Sequence, residues 1–309
     1  MKSNELVVLF SSDDNYAQHL GAAIASLLEN NKNFERILIY VVDNNISDSG
    51  RGRIKTICKN YANAKVIWLP FVSWKTQLKL NMSWDISISA YARLFAANLL
   101  PREVHKVLYM DCDMIVCESL YDLWNTDMGD YCLGAVQDSI SDSTKAAVGL
   151  LPKEQYFNSG LLLINLDEWR KGNFQERCLK YIDEKNGTVT HHDQGVLNAV
   201  FRNTWYRLPL SNNVMTIHFI YDRDKIIKYF GEHAQFYTGD EISKAKDNPV
   251  ILHFTPSFTS RPWFRGCKHP KRDFYWKYVA MTPWRNERPR RSNEKWYVRL
   301  INWRYRVFG

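Results

Sequence analysis

Hydrophobic and polar positions along the first two thirds of the chain fall into alternating blocks, short apolar runs followed by longer segments with helical spacing. ELVVLFSS, RILIYVVD and KVIWLP read as three strands, with helices over Tyr16 to Asn30 and Ser47 to Tyr61 between them. SISAYARLFAANLLP predicts a helix ended before Pro101, and KVLYMD a fourth strand. YCLGAVQD (131–138) and SGLLLINLD (159–167) add strands, and FQERCLKYIDEK (174–185) is helical. HHDQGVLNAVF (191–201) opens a short helix with Asp193 near its N-terminus. This rhythm predicts an α/β fold with a mostly parallel mixed sheet covered by helices. It stops near residue 255, where Pro, Trp, Arg and Lys become frequent, so the chain divides into a domain over 1–265 and a tail over 266–309.

One block breaks the pattern. In KVLYMDCDMIV the apolar run is interrupted by Asp111 and Asp113 and then resumes. In an extended segment the two carboxylates point to the same side and Cys112 to the other. At about 6 Å and an effective dielectric of about 20 they repel by about 3 kcal/mol. A divalent cation offsets that repulsion, and hard oxygen ligands suit magnesium or manganese. The D-x-D pattern alone also occurs in solvated turns. In open parallel sheets ligands gather where strands run out, and SSDD and VVDNN put acidic and amide groups at two such ends.

Composition narrows the class. The chain has 309 residues, 45% hydrophobic and 24% charged, an ordinary globular balance. Its apolar runs, such as LLLI at 161–164, are far shorter than a membrane span. MKSNELVVLFSSDDN reads as a strand and not as a secretion signal, so a cytoplasmic location is expected. Cysteines 58, 112, 117, 132, 178 and 267 form no C-x-x-C pair, which argues against a zinc module and for reduced core residues.

The net charge of +8 is concentrated in the tail. From Arg261 onward there are 14 Lys/Arg against 3 Asp/Glu, while residues 1–260 hold 27 against 30. In SNEKWYVRLINWRYRVFG, Trp296, Leu300, Trp303 and Val307 share one helical face, with Lys295, Arg299 and Arg306 opposite. Such a basic, Trp-rich helix suits an anionic membrane surface, or equally the flank of its own domain. No nucleic-acid motif accompanies the charge.

Six segments together resemble the family 8 glycosyltransferases, above all bacterial enzymes that add galactose or glucose to lipopolysaccharide or related surface glycans. They are FSSDDNYAQHLGAAIASL, ISISAYARLFAANLLP, KVLYMDCDMIV with LYDLWNTDMG, YFNSGLLLINLDEWR, HHDQGVLN and ILHFTPSFTSRPW. The resemblance spans roughly residues 5–265 and implies a Rossmann-like nucleotide-sugar domain of the GT-A type. It implies a retaining hexosyltransferase that uses a UDP-hexose donor, Mn²⁺ or Mg²⁺, and a glycan or lipid-linked glycan acceptor. By the same resemblance Asp111, Asp113 and His253 hold the metal ion. Ser11, Asp13 and Asn15 take the uracil and ribose, while Asp13 or Asp14 is equally suited to cap a helix. Arg93 faces the donor sugar and phosphates, although its predicted helix would also accept a solvated arginine. Asp138 and Asn158 meet the sugar hydroxyls, and Asp193 and Gln194 lie near the reacting face. No role is implied for His191 or His192, and adjacent histidines on a loop are usually exposed.

The chain departs from the family at its tail motif. HFTPSFTSRPW has Pro256 or Ser257 near an expected glycine, two added residues, and Arg261 in place of a lysine. Arginine still clamps phosphate. The departure leaves open a second reading, a nucleotide-sugar binding protein with impaired catalysis. Gln194 is a poor nucleophile, so retention by attack on the same face, with the leaving phosphate accepting the proton, is favoured over a covalent carboxylate intermediate.

Overall fold

A computed structural model describes residues 3–81, 88–231, 235–256 and 259–291. The tail stretch 292–309 and Ser257 lie outside the described residues, and with them the predicted amphipathic face. Among the described residues no helix is long and apolar enough to cross a membrane.

Among the described residues ten strands form two sheets. They are β1 (Glu5–Ser12), β2 (Arg36–Asp43), β3 (Ala64–Pro70), β4 (Lys106–Met110), β5 (Met114–Val116), β6 (Leu133–Gln137), β7 (Phe157–Asn165), β8 (Tyr206–Arg207), β9 (Val214–Met215) and β10 (Ile251–His253). The larger sheet has the order β3-β2-β1-β4-β7-β6-β8. β1 is parallel to both β2 and β4, and β7 runs antiparallel to β4 and β6. This is the mostly parallel mixed sheet that the sequence predicts. β1 reads as a continuous apolar run because it is buried on both faces, as central parallel strands are. The small sheet, β5-β10-β9, stands beside it.

The predicted helices recur at Ala17–Asn30, Asp48–Lys59 and Phe174–Glu184. Ser47 caps the second by accepting from the Gly50 amide at 3.1 Å. SISAYARLFAANLLP departs from expectation. Residues Ile88–Phe95 wind as a 3-10 helix, and only Ala96–Leu99 form an α turn. The Arg93 side chain is drawn inward here to the Ser159 carbonyl and to Asp111, so this segment follows its inward contacts and not a regular solvent-facing stripe.

Part of the basic segment packs on the sheet domain. Helix Arg272–Val279 lies against helix Ala17–Asn30. A Cβ on Gly21 would come within 2.6 Å of the Trp284 ring, so the missing side chain makes the seat for that indole. His19 stacks on Trp263 with ring centroids 3.9 Å apart, and its Nδ1 lies 2.7 Å from the Tyr275 hydroxyl. All six cysteines are free thiols, and five of them are buried.

Candidate active site

The two aspartates do not continue a strand. β4 ends at Met110, the chain turns through residues 111–113, and the resumed apolar run Met114–Val116 is a strand of the second sheet. The expectation of an extended D-x-D is therefore corrected: the pair occupies the turn where one sheet hands the chain to the other. The Asp111 amide closes the β4 ladder on the Gly160 carbonyl at 2.8 Å, and the Phe254 amide donates to the Asp113 carbonyl at 3.0 Å. The second bond brings His253, at the end of β10, beside Asp113. Cys112 is buried and its thiol donates to the Ser11 carbonyl, in keeping with a core role.

Antiparallel pairing assembles the other half of the site. Because β7 runs opposite to β4, its first residues Asn158, Ser159 and Gly160 lie beside the C-terminal end of β4, and Asp138 leaves β6 alongside them. Together these ends line a cleft of about 1020 Å³. Every site residue predicted above lines it: Ser11, Asp13, Asn15, Arg93, Asp111, Asp113, Asp138, Asn158, Asp193, Gln194, His253 and Arg261. Asp13 also caps the short turn Asp14–Tyr16, accepting from the Tyr16 amide, so both roles weighed for it are compatible.

The aspartate repulsion is balanced on both sides by cationic groups. Arg93 donates to Asp111 at 2.8 Å and pairs with Asp193 at 3.0 Å, while its guanidinium lies over the Tyr109 ring. Arg261 pairs with Asp113 at 3.1 Å and donates to the Tyr16 hydroxyl. His253 Nε2 lies 3.2 Å from the Asp113 carboxylate. Burial pushes the Asp113 carboxyl up, but the neighbouring His253 ring and the Arg261 guanidinium outweigh it and hold the group below the usual carboxylate range. Burial raises Asp193 despite Arg93.

Asp111, Asp113 and His253 each offer a ligand atom, all within 4.8 Å of one another. Two carboxylates with one imidazole fit a hard or borderline dication. Gly160 supplies the room: a Cβ there would stand 2.4 Å from His253 Cε1 and 3.0 Å from Asp111 Oδ2. If the cluster holds a divalent cation, Gly160→Ala should weaken its binding, tested with Mn²⁺, by about tenfold or more, the scale on which disturbing a ligand's support costs affinity. Calorimetric titration checks this, and an unaltered affinity would remove His253 from the ligand set.

Opposite this cluster, Asp138 Oδ2 accepts from Asn158 Nδ2 and from Gln194 Nε2, each at 3.0 Å. Gln194 Oε1 accepts from the Ser159 amide at 3.0 Å and from Asn158 at 3.2 Å. His191 and His192 line the cleft as well, with φ of 60° and 53°. Two successive left-handed residues cost roughly 1–2 kcal/mol each and turn the chain sharply into helix His192–Val200, carrying Asp193 and Gln194 inward. The sequence reading left out Tyr16, Tyr109, Ser159 and Asn213. Tyr16 sat within a quoted motif, whereas Asn213 carried no signal at all.

The chain has known relatives. The profile described as Glycosyl transferase family 8 matches residues 7–267. General stress protein A of Bacillus subtilis (strain 168) is 29% identical over 290 residues, covering 92% of this chain and 96% of that protein. A lipopolysaccharide 1,2-glucosyltransferase of Escherichia coli is 24% identical over 285 residues, 90% of this chain and 79% of the relative. Among solved structures, galactosyltransferase LgtC in complex with donor and acceptor sugar analogues matches with a TM-score of 0.72 at 26% identity. That match covers 91% of this chain and 99% of LgtC.

Proposed function

The chain belongs to glycosyl transferase family 8, and from that membership and its cleft we propose that it is a metal-dependent, retaining hexosyltransferase. It moves galactose or glucose from a UDP-sugar to a glycan hydroxyl, in the synthesis of lipopolysaccharide or a related surface polysaccharide, on the cytoplasmic side where such donors are made. The observation that carries the reading is the grouping of Asp111, Asp113 and His253 in a cleft that also holds Arg93, Arg261 and the Asp138–Asn158–Gln194 network. A galactosyltransferase and a lipopolysaccharide glucosyltransferase among the relatives favour these two hexoses.

Each residue then has a task set by its surroundings. Ser11, Asp13 and Asn15, at and just beyond the end of β1, hold the uridine. Asp111, Asp113 and His253 would hold Mn²⁺ or Mg²⁺, which when bound supplies Lewis-acid neutralisation of the diphosphate. Arg261 stands beside Asp113 with a fixed positive charge, placed to meet the leaving phosphate, and its pairing with Tyr16 holds it on the cleft wall. Asp138 and Asn158 orient the hexose hydroxyls. Gln194 has both ends of its amide engaged, and Asp193 is tied to Arg93. Gln194 offers only an amide, and the Asp193 charge is shared with Arg93, which weakens both as nucleophiles and supports attack on the same face as departure.

Incubation with UDP-galactose or UDP-glucose and Mn²⁺ should release UDP slowly without acceptor, and chelation with EDTA should stop it. UDP binding without release would leave the second reading, a binding protein with impaired catalysis. Neither binding nor release would end both.

A further inference from the structure

Asn213, fully buried just before β9, joins the two halves of the cleft. Its Oδ1 lies 3.0 Å from His253 Nδ1, and its Nδ2 donates to Asn158 Oδ1 at 2.9 Å. Side-chain amides can be placed either way round, so the direction of this chain has to come from a group that cannot reverse. The Gly160 backbone amide is that group. It donates to Asn158 Oδ1 at 3.0 Å, which fixes the Asn158 oxygen on this side. The Asn158 Nδ2 then faces the Asp138 carboxylate, a pure acceptor, at 3.0 Å. Asn213 must therefore present its amino group to Asn158 and its oxygen to His253. An oxygen at that place demands a proton on His253 Nδ1, and Nε2, 3.2 Å from the Asp113 carboxylate, is thereby the ring nitrogen turned to Asp113 and to a cation held there.

We infer that Asn213 is a positioning residue that sets the tautomer and ring orientation of His253 and links the cation-ligating cluster to the sugar-facing network. The inference rests on the function proposed above for the identity of cation and donor. A buried asparagine often does no more than satisfy local backbone groups. Here both of its ends terminate on side chains of the cleft, one on a ligand candidate and the other on the amide that holds Asp138. Partners that orient a ligating histidine in this way are worth about 10–100-fold in metal affinity.

Two variants separate the two ends. Asn213→Asp keeps an oxygen for His253 but sets a second oxygen against Asn158. Asn213→Ser is too short to reach both partners. The full chain is titrated with Mn²⁺ in the presence of UDP, kcat and KM are measured for UDP release from the UDP-hexose, and melting temperatures are recorded. N213D should bind Mn²⁺ within about threefold of the unmodified protein and lose about tenfold or more in kcat, and N213S should lose about 10–100-fold in Mn²⁺ affinity. Equal weakening of Mn²⁺ binding in both variants would overturn the inference. So would an unchanged kcat in N213D, or losses that merely follow the melting temperature. If N213S melts below the assay temperature, N213D decides by whether its defect falls on kcat alone. An unmodified protein that ignores Mn²⁺ would instead sink the metal reading of the cluster, so the two failures are distinguishable.

Discussion

Asp113→Asn should abolish Mn²⁺ binding and lower UDP release at least about a thousandfold, with the fold retained. The carboxylate is the point on which His253 and Arg261 both converge, at 3.2 and 3.1 Å, and an amide offers neither of them a charge. A metal ion that neutralises a departing diphosphate contributes several kcal/mol to the transition state. Each 1.36 kcal/mol is a factor of ten, so losing about 4 kcal/mol gives the thousandfold. Arg261 keeps the Tyr16 hydroxyl and about a fifth of its surface in solvent, which limits the damage from its lost partner. Calorimetry with Mn²⁺ and a UDP-release assay measure the two effects separately. Turnover near the starting level in a protein that no longer binds Mn²⁺ would show that the cluster is not the metal site of the reaction.

Acidification from pH 7 to pH 5 should cost the fold about 6 kcal/mol, enough to unfold a domain of ordinary stability. Three histidines dominate, while His191, also held low by burial, works in the same direction and Asp193, held high by burial, in the opposite one. Burial holds His19 down to about 3, with Arg290 and Arg261 adding to it. Burial likewise holds His218 and His269 down to about 4. Their surfaces are 2%, 0% and 5% exposed, so solvent screens little of this. A group whose folded pKa lies below its unfolded value, near 6.5 for histidine, contributes fully above 6.5. That contribution is lost as pH falls toward the folded value. At pH 5 each histidine has lost about 2 kcal/mol. Carboxylates held low, such as Asp113, keep their contribution until pH falls below about 3.8 and do not enter this window. Urea unfolding between pH 8 and pH 5 tests the expectation, and His218→Leu should remove about a third of the loss. A midpoint that stays level across the range would mean that these rings protonate without opening the structure.

The larger sheet was legible because its strands are read locally. A buried parallel strand is a continuous apolar run, and β1, β2 and β4 were written that way. Residues 88–95 were misread because helical propensity does not reveal where a single side chain must go. Arg93 looks like a surface residue in AYARL, yet it is 3% exposed and spans Asp111 and Asp193. The D-x-D turn was misread for a related reason: the apolar run after it looks like the same strand until its pairing with β10 places it in another sheet.

Residue order alone established the alternation of strands and helices, the six motifs in their family order, the unusual acidic pair and the basic end of the chain. These are properties of neighbours within a few positions. Only the tertiary structure decided that Asp113 and His253, 140 residues apart in the numbering, face each other. It also decided that each aspartate is balanced by its own arginine, and that Asn213 stands between His253 and Asn158. The reason is physical: hydrogen bonds and ion pairs act over about 3 Å in space, and antiparallel return of β7 and β10 determines which distant residues come within that reach.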